Sequence, residues 1–210
     1  MFITFEGIDG SGKTTQIERL AQVLQAQGHS VVQTRDPGGT DIGRQLRQIL
    51  LHHPGYVSPR CELFLYLADR AQHVDELIRP ALAEGKIVLC DRYIDSTAAY
   101  QGGGRGLALA EIHRMNDIAT GGLKPDKTFL FDAPVDILLH RAKNRTAADR
   151  LEQEQVSFFE MIRSQYLALA QAEPKRIMVV DATQSPETIH AELINALPMQ
   201  RIAHPAPPRY

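Results

Sequence analysis

Residues 7–14 read Gly7-Ile8-Asp9-Gly10-Ser11-Gly12-Lys13-Thr14 and meet every fixed position of the phosphate-loop pattern G-x-x-x-x-G-K-[ST]. The pattern works only where a buried strand ends and a helix begins. Its glycines let the backbone wrap closely around phosphates with N–H groups aimed inward, and the helix N-terminus adds partial positive charge. The chain supplies both neighbours: an apolar run at residues 2–5 precedes the loop, and Ile17, Leu20, Ala21 and Leu24 follow at helical spacing until Gly28. Gly7, Ile8, Asp9, Gly10, Ser11 and Gly12 are therefore predicted to cradle phosphate, Lys13 to reach the terminal phosphates and Thr14 to hold Mg²⁺.

Further short apolar runs bounded by turn residues lie at 31–32, 87–90, 128–131 and 177–180. Helix-period stretches separate them, the last opening with Ser185-Pro186 as cap and first turn. Strands this uniformly apolar, alternating with helices, predict an α/β fold: a five-stranded parallel sheet with helices on both faces. Residues 58–85 predict one long helix, bent before Pro80. Between 141 and 152 the pattern changes, with Arg141, Lys143, Arg145 and Arg150 among small and polar residues, which predicts a mobile lid. Residues 198–210, rich in proline, predict a flexible tail. One domain thus spans 1–197.

With 23 basic against 25 acidic residues, a net charge of -2 gives no bulk attraction to nucleic acid polymers or anionic membranes. Anion binding must be local. No apolar run approaches membrane-spanning length, and residues 1–5 carry no basic leader, so a soluble cytoplasmic protein is expected. Cys61 and Cys90 stand far apart in apolar surroundings, which predicts two buried free thiols and no zinc site. His52-His53, beside Pro54-Gly55, reads as a surface turn.

Phosphate loops serve kinases, GTPases, motors and passive binders. No Asn-Lys-x-Asp guanine-reading motif occurs, and 210 residues leave no room for motor domains. In a small kinase a second acid at the end of a neighbouring strand holds the metal's water shell, and Asp91 follows the apolar run 87–90 where that acid belongs. The rival readings are a kinase of another nucleotide or small metabolite, and a non-catalytic nucleotide switch.

Asp91-Arg92-Tyr93-x-x-Ser96-x-x-Ala99-Tyr100-Gln101, Thr34-Arg35-Asp36-Pro37-Gly38-Gly39-Thr40 and the phosphate loop, in this order, closely resemble the thymidylate kinases. The resemblance runs from Phe2 to about Leu197. It implies the phosphate-loop NTPase fold, a homodimer, and phosphorylation of dTMP to dTDP by ATP with Mg²⁺. Carried onto this chain, it gives Tyr66 as the ring stacked on thymine, with Phe64 the competing ring, and Arg70 one turn later as a donor to the base. Arg92, within a motif that also contains Ser96, grips the monophosphate. Thr97 reads the ring edge, Tyr100 and Gln101 wall the deoxyribose against a 2′-OH, and Asp9 accepts from the 3′-OH. Arg35 is expected near the acceptor phosphate. For Asp36, where the family more often has Glu, two readings stand: ordering Arg35 or the metal's waters, and stapling the loop.

Some members of the family it resembles carry an extra arginine in the loop itself; here Ile8, Asp9, Gly10 and Ser11 are not basic, and the resemblance therefore implies that this cation comes from elsewhere. Arg141, Lys143 and Arg145 match the lid of the bacterial-type enzymes, with Arg141 on ATP and Arg145 as the transition-state arginine beside Lys13 and Arg92.

Overall fold

The computed structural model describes residues 1–143 and 154–197. The strands are β1 (Phe2–Glu6), β2 (Val31–Arg35), β3 (Ile87–Asp91), β4 (Lys127–Asp132) and β5 (Ile177–Asp181). The helices are α1 (Lys13–Ala26), α2 (Asp41–His52), α3 (Pro59–His73), α4 (Arg79–Ala83), α5 (Ile94–Thr97), α6 (Leu109–Thr120), α7 (Val135–Lys143), α8 (Val156–Ala172) and α9 (Pro186–Asn195).

All five strands pair in parallel in the order β2-β3-β1-β4-β5, as expected. The central strands β1, β3 and β4 are buried on both faces, while the edge strands β2 and β5 each leave residues exposed. An edge has a neighbour on one side only, so the uniform burial read from the sequence holds at the centre and fails at the rims. Parallel pairing brings the C-terminal ends of the strands to one edge of the sheet. There Phe5 lies opposite Asp91, and Arg35 opposite Asp91 on the other side. The phosphate loop therefore emerges from β1 beside the acid that ends β3, the position where open α/β sheets bind ligands.

Local signals set most helix starts. Thr40 Oγ1 accepts the Gly43 amide at 3.0 Å and caps α2, Ser58 caps α3, and Ser185 caps α9 with Pro186 in its first turn. The predicted long helix is a continuous rod from Pro59 to Ala83, but Val74–Ile78 winds as a π-helix. Pro80 has no N–H for the carbonyl four residues back, and its ring crowds that turn. The wider π winding just before it accommodates both effects. A second π segment, Ala98–Gly104, carries Tyr100 and Gln101. Its glycines admit α8 closely: a Cβ on Gly104 would lie 2.5 Å from the Phe158 ring.

Cys90 is buried as expected, but Cys61 is exposed on α3. Both thiols are free, and His52 and His53 are exposed. Arg141 and Lys143 continue helix α7 instead of opening a loop. The rest of the proposed lid through Glu152, Arg145 and Arg150 included, and the proposed tail 198–210 lie outside the described residues. Among the described residues no helix is long and apolar enough to cross a membrane.

Candidate active site

The loop after β1 has the strained backbone its sequence requires. Gly7, Gly10 and Gly12 take φ of 133°, 83° and 92°, a region that favours glycine. Close packing adds a second constraint, since a Cβ on Gly10 would sit 2.3 Å from the Leu138 carbonyl oxygen. Helix α7 thus presses directly on the loop. At its far end Arg141 Nη1 donates to the Ala182 carbonyl at 2.7 Å, joining α7 to the loop after β5. Lys13 is buried, and its Nζ donates to the carbonyls of Gly7 and Ile8 at 2.9 and 3.1 Å. Burial, and then the positive charge of Arg92, hold its ammonium below the usual lysine range. Thr14 opens α1 exposed beside it.

Arg92 is the centre of the site. It is the one described non-glycine residue with positive φ, 71°, a conformation that costs energy and recurs where function fixes a side chain. Its own amide donates to the Phe5 carbonyl at 2.9 Å, and the next amide, Tyr93 N–H, donates to Glu6 Oε1 at 2.8 Å. The guanidinium gives Nη2 to Asp9 Oδ1 at 2.9 Å, and Nη1 reaches Ser96 Oγ at 3.3 Å and Tyr166 Oη at 3.4 Å. Its Cζ lies 5.1 Å from the centre of the Tyr100 ring. Desolvation works against ionisation of Asp9, but the charges of Arg92 and then Lys13 outweigh it and hold the carboxyl down at about 2.

Sequence reasoning missed three residues around this arginine. Glu6, wholly buried at the end of β1, accepts from Ser96 Oγ at 2.6 Å and from Tyr166 Oη at 2.9 Å on Oε2. Burial, reinforced by the nearby charge of Asp95, pushes the Glu6 carboxyl up to about 7. Glu6 and Tyr166 together orient the hydroxyls behind Arg92. Ser96 accordingly faces this internal network. The third is Arg47 on α2, which donates to the Pro37 carbonyl at 3.0 Å and flanks Gly38 together with Arg35. Burial first, then the charges of Arg35 and Arg92, lower the Arg47 pKa, with Tyr66 and Asp9 acting in the opposite sense. Three arginines thus converge near Asp9 and Lys13, a field suited to a doubly charged phosphate. The i, i+7 spacing of Thr40 and Arg47 was the only available signal, and it says nothing of what Arg47 faces.

Other expected site residues have different partners. Arg70 is 1% exposed, and all five guanidinium N–H groups are engaged. Nε and Nη2 fork onto Asp36 at 2.9 and 2.8 Å, Nη1 gives 2.7 Å bonds to Thr97 Oγ1 and Asn116 Oδ1, and Nη2 also reaches the Tyr93 carbonyl at 3.1 Å. A donor saturated in this way is a buried cross-link, and a bond from it to a base would require one of these bonds to open. Asp36 is correspondingly the loop staple, with both carboxylate oxygens tied to Arg70. Thr97 is buried and accepts from Arg70. Gln101 is buried too, and its Nε2 donates to Glu62 Oε1 at 2.9 Å.

Tyr66 and Phe64 part company because they lie on different faces of α3. Phe64 is 57% exposed and lines a groove with Leu107, Met115 and Ile118 on the α6 side. Tyr66 is half-buried on the side of Arg47 and Tyr100. Tyr100 itself is buried, yet its Oη has no hydrogen-bond partner among the described residues, and the same holds for Asp91 Oδ1. Buried polar atoms are rarely left in this condition unless something else completes them.

The sequence matches the family model described as thymidylate kinase over residues 5–193. It is 51% identical over 205 residues to the thymidylate kinase of Desulfovibrio desulfuricans, covering 94% of each chain. To the thymidylate kinase of Syntrophotalea carbinolica it is 54% identical over 188 residues, covering 86% of this chain and 87% of the relative. Identity with the thymidylate kinase of Kosmotoga olearia is 44% over 206 residues, covering 97% and 99%. A phosphate loop beside Asp91, an arginine held in a strained conformation on Asp9, and likeness along almost the whole length converge on one conclusion: the chain belongs to the thymidylate kinase family.

Proposed function

We propose that this enzyme transfers the γ-phosphoryl group of ATP to dTMP, giving ADP and dTDP, with the donor on residues 7–14 and the acceptor on the ledge of Asp9, Arg47, Arg92 and Tyr100. The observation that carries this reading is the Arg92 guanidinium, locked on Asp9 at the mouth of the phosphate loop and lying over Tyr100. Phosphoryl transfer needs alignment and cationic stabilisation of equatorial oxygens more than covalent help. Lys13 exchanges its carbonyl bonds for the terminal phosphates of ATP, while Arg92 and Arg47 fix the acceptor phosphate. The attacking oxygen is already anionic, so no general base is required.

Thr14 and the buried, unpartnered Asp91 Oδ1 fit Mg²⁺, Asp91 acting through water. The ion when bound neutralises charge on the β- and γ-phosphates. Tyr66 stacks on thymine, Thr97 sits at the ring edge, and the Tyr100 hydroxyl meets the deoxyribose. Arg70, through Asp36 and Thr97, shapes this pocket from behind, and Arg35 adds positive charge at its rim. The basic segment 141–152 closes over ATP as a lid, Arg141 and Lys143 at its base and Arg145 reaching the transferring group. We assign the enzyme to the cytoplasm and to a homodimer whose contact uses the apolar face of Phe64 and Ile118, both exposed on this chain.

A coupled ADP-release assay with ATP and Mg²⁺ tests the reading against dTMP, dUMP, ribo-TMP, dCMP, dGMP and AMP. Turnover is expected to be strongest with dTMP and poor with its ribose analogue. Because a thymine methyl contributes only about 1–3 kcal/mol, some dUMP turnover should remain. ATP binding without turnover of any acceptor would refute the assignment. In the same assay Arg145→Ala should lower kcat about 10²-fold with little change in dTMP binding. A kcat near wild type would remove Arg145 from the mechanism.

A further inference from the structure

One charged cluster lies behind the acceptor ledge and takes no part in the transfer itself. Glu62 of α3 is wholly buried, and both its oxygens hold Arg105: Oε1 accepts from Nε at 3.2 Å and Oε2 from Nη2 at 3.3 Å. Glu62 Oε1 also accepts from Gln101 Nε2 at 2.9 Å. The remaining arm of the guanidinium, Nη1, donates to Glu154 Oε1 at 2.6 Å, just ahead of α8. Its Cζ stands 4.7 Å from the centre of the Phe158 ring on α8, close enough for a cation–π contact. A buried carboxylate needs a cation of this kind, and a planar fork supplies it in a fixed geometry.

The same arginine is tied to the acceptor side through its backbone. Its amide donates to the Tyr100 carbonyl at 2.9 Å, and the Leu107 amide donates to the Gln101 carbonyl at 3.0 Å. Glu62 lies one turn before Tyr66 on α3, so the two share a face of that helix. On the other flank the π segment is pressed against α8, where a Cβ on Gly103 would lie 2.7 Å from Gln165 Cβ. Arg105 thus joins α3, the π segment and the start of α8 at one point, with Gln101 held inside the junction.

The polarity of the contact matters as much as its strength. A carboxylate only accepts, so Gln101 turns its NH2 group to Glu62 and its carbonyl oxygen away from it. A steric filter discriminates only as well as it resists displacement, and this amide is bonded to a carboxylate that is itself gripped on both oxygens. We propose that Glu62 and Arg105 are positioning residues that brace the Gln101 amide as a wall beside Tyr100, and so set how strongly a ribonucleotide acceptor is rejected. This rests on the acceptor site proposed above, to which it adds Gln101 at the deoxyribose. Neither Glu62 nor Arg105 touches the substrate; both act through that one amide.

The test compares kcat/KM for dTMP and for ribo-TMP, at saturating ATP and Mg²⁺, in wild type, Gln101→Ala, Glu62→Gln and Arg105→Ala. The preference for dTMP should fall about tenfold in each of the three variants. Glu62→Gln hardly changes volume, but its amide donates as well as accepts, so Gln101 is free to turn over and the fork of Arg105 is lost. A merely structural defect lowers turnover of both acceptors together and leaves their ratio where it was. Arg105→Lys keeps the charge without the fork and should keep only part of the preference. The double variant Glu62→Gln/Gln101→Ala should discriminate no worse than Gln101→Ala alone, because the brace works through that side chain. Should Arg105→Ala not fold, Glu62→Gln and Arg105→Lys carry the same test. A wild-type preference retained in Glu62→Gln, losses that add in the double variant, or a Gln101→Ala enzyme that still rejects ribo-TMP would overturn the proposal. A wild type that turns over no dTMP would instead refute the function it rests on.

Discussion

Replacing Arg70 with alanine should destabilise the fold by about 3–5 kcal/mol, the range for breaking a buried pair and leaving one charge behind. The charge left behind is Asp36, whose carboxylate is 0% exposed and would lose both arms of its fork. Thr97 Oγ1, Asn116 Oδ1 and the Tyr93 carbonyl would lose donors in the same step. For a chain of 150–250 residues each kcal/mol shifts Tm by roughly 2–4 °C, so the midpoint should fall by roughly 6–20 °C. The pH dependence has a definite sign. Although burial opposes it, Arg70 holds the Asp36 carboxyl below its ordinary value. The pair's contribution is therefore present at neutral pH and is lost as pH falls through that lowered value. The deficit of Arg70→Ala should shrink in acid, where Asp36 takes up a proton. Arg70→Lys should recover little, since a point charge cannot fill five directions. Removing both members in Asp36→Leu/Arg70→Met should restore much of the loss. A single-variant cost under about 1 kcal/mol would show that the cross-link does not hold the loop to α3.

The second large effect is catalytic. Arg92→Ala should lower kcat/KM for dTMP by about 10³-fold, because the fixed donor at the centre of the site disappears and Arg35 and Arg47 are left to hold the acceptor phosphate without it. ATP affinity should change much less, since Lys13 and the loop amides hold the donor. Arg92→Lys keeps the charge but loses the fork onto Asp9, Ser96 and Tyr166, and it should recover no more than about tenfold. A kcat/KM within a few-fold of wild type for Arg92→Ala would remove the residue from the acceptor site. The strained φ of 71° at Arg92 sharpens the comparison. Removing the side chain should leave the backbone geometry in place, because Phe5 and Glu6 hold it through the amides of residues 92 and 93.

These predictions separate what local order encodes from what folding assembles. The phosphate loop, the five strands, the Ser185-Pro186 start of α9 and the place of Asp91 at the end of β3 were legible from the chain alone. Each depends on residues within a turn or two of one another, and periodicity, caps and glycine positions act at that range. The two faces of α3 were only half legible. Spacing puts Tyr66 and Arg70 on one side, but only the packing of α6 shows that Phe64 faces outward into a groove.

The partners of buried charges were not legible at all. Arg70 meets Asp36 across 34 residues and Asn116 across 46, and Glu6 meets Ser96 across 90 and Tyr166 across 160. Nothing in the spacing of an arginine or a glutamate reveals which distant group will neutralise it once water is gone. Desolvation makes such pairings obligatory, and the tertiary fold decides which ones form. The sequence by itself thus determined that the chain binds phosphate at the end of a parallel sheet. Only the three-dimensional structure decided that Arg92 faces the site while Arg70 is tied down behind it, because a charge can act on a substrate only after the fold has settled which of its neighbours already satisfy it.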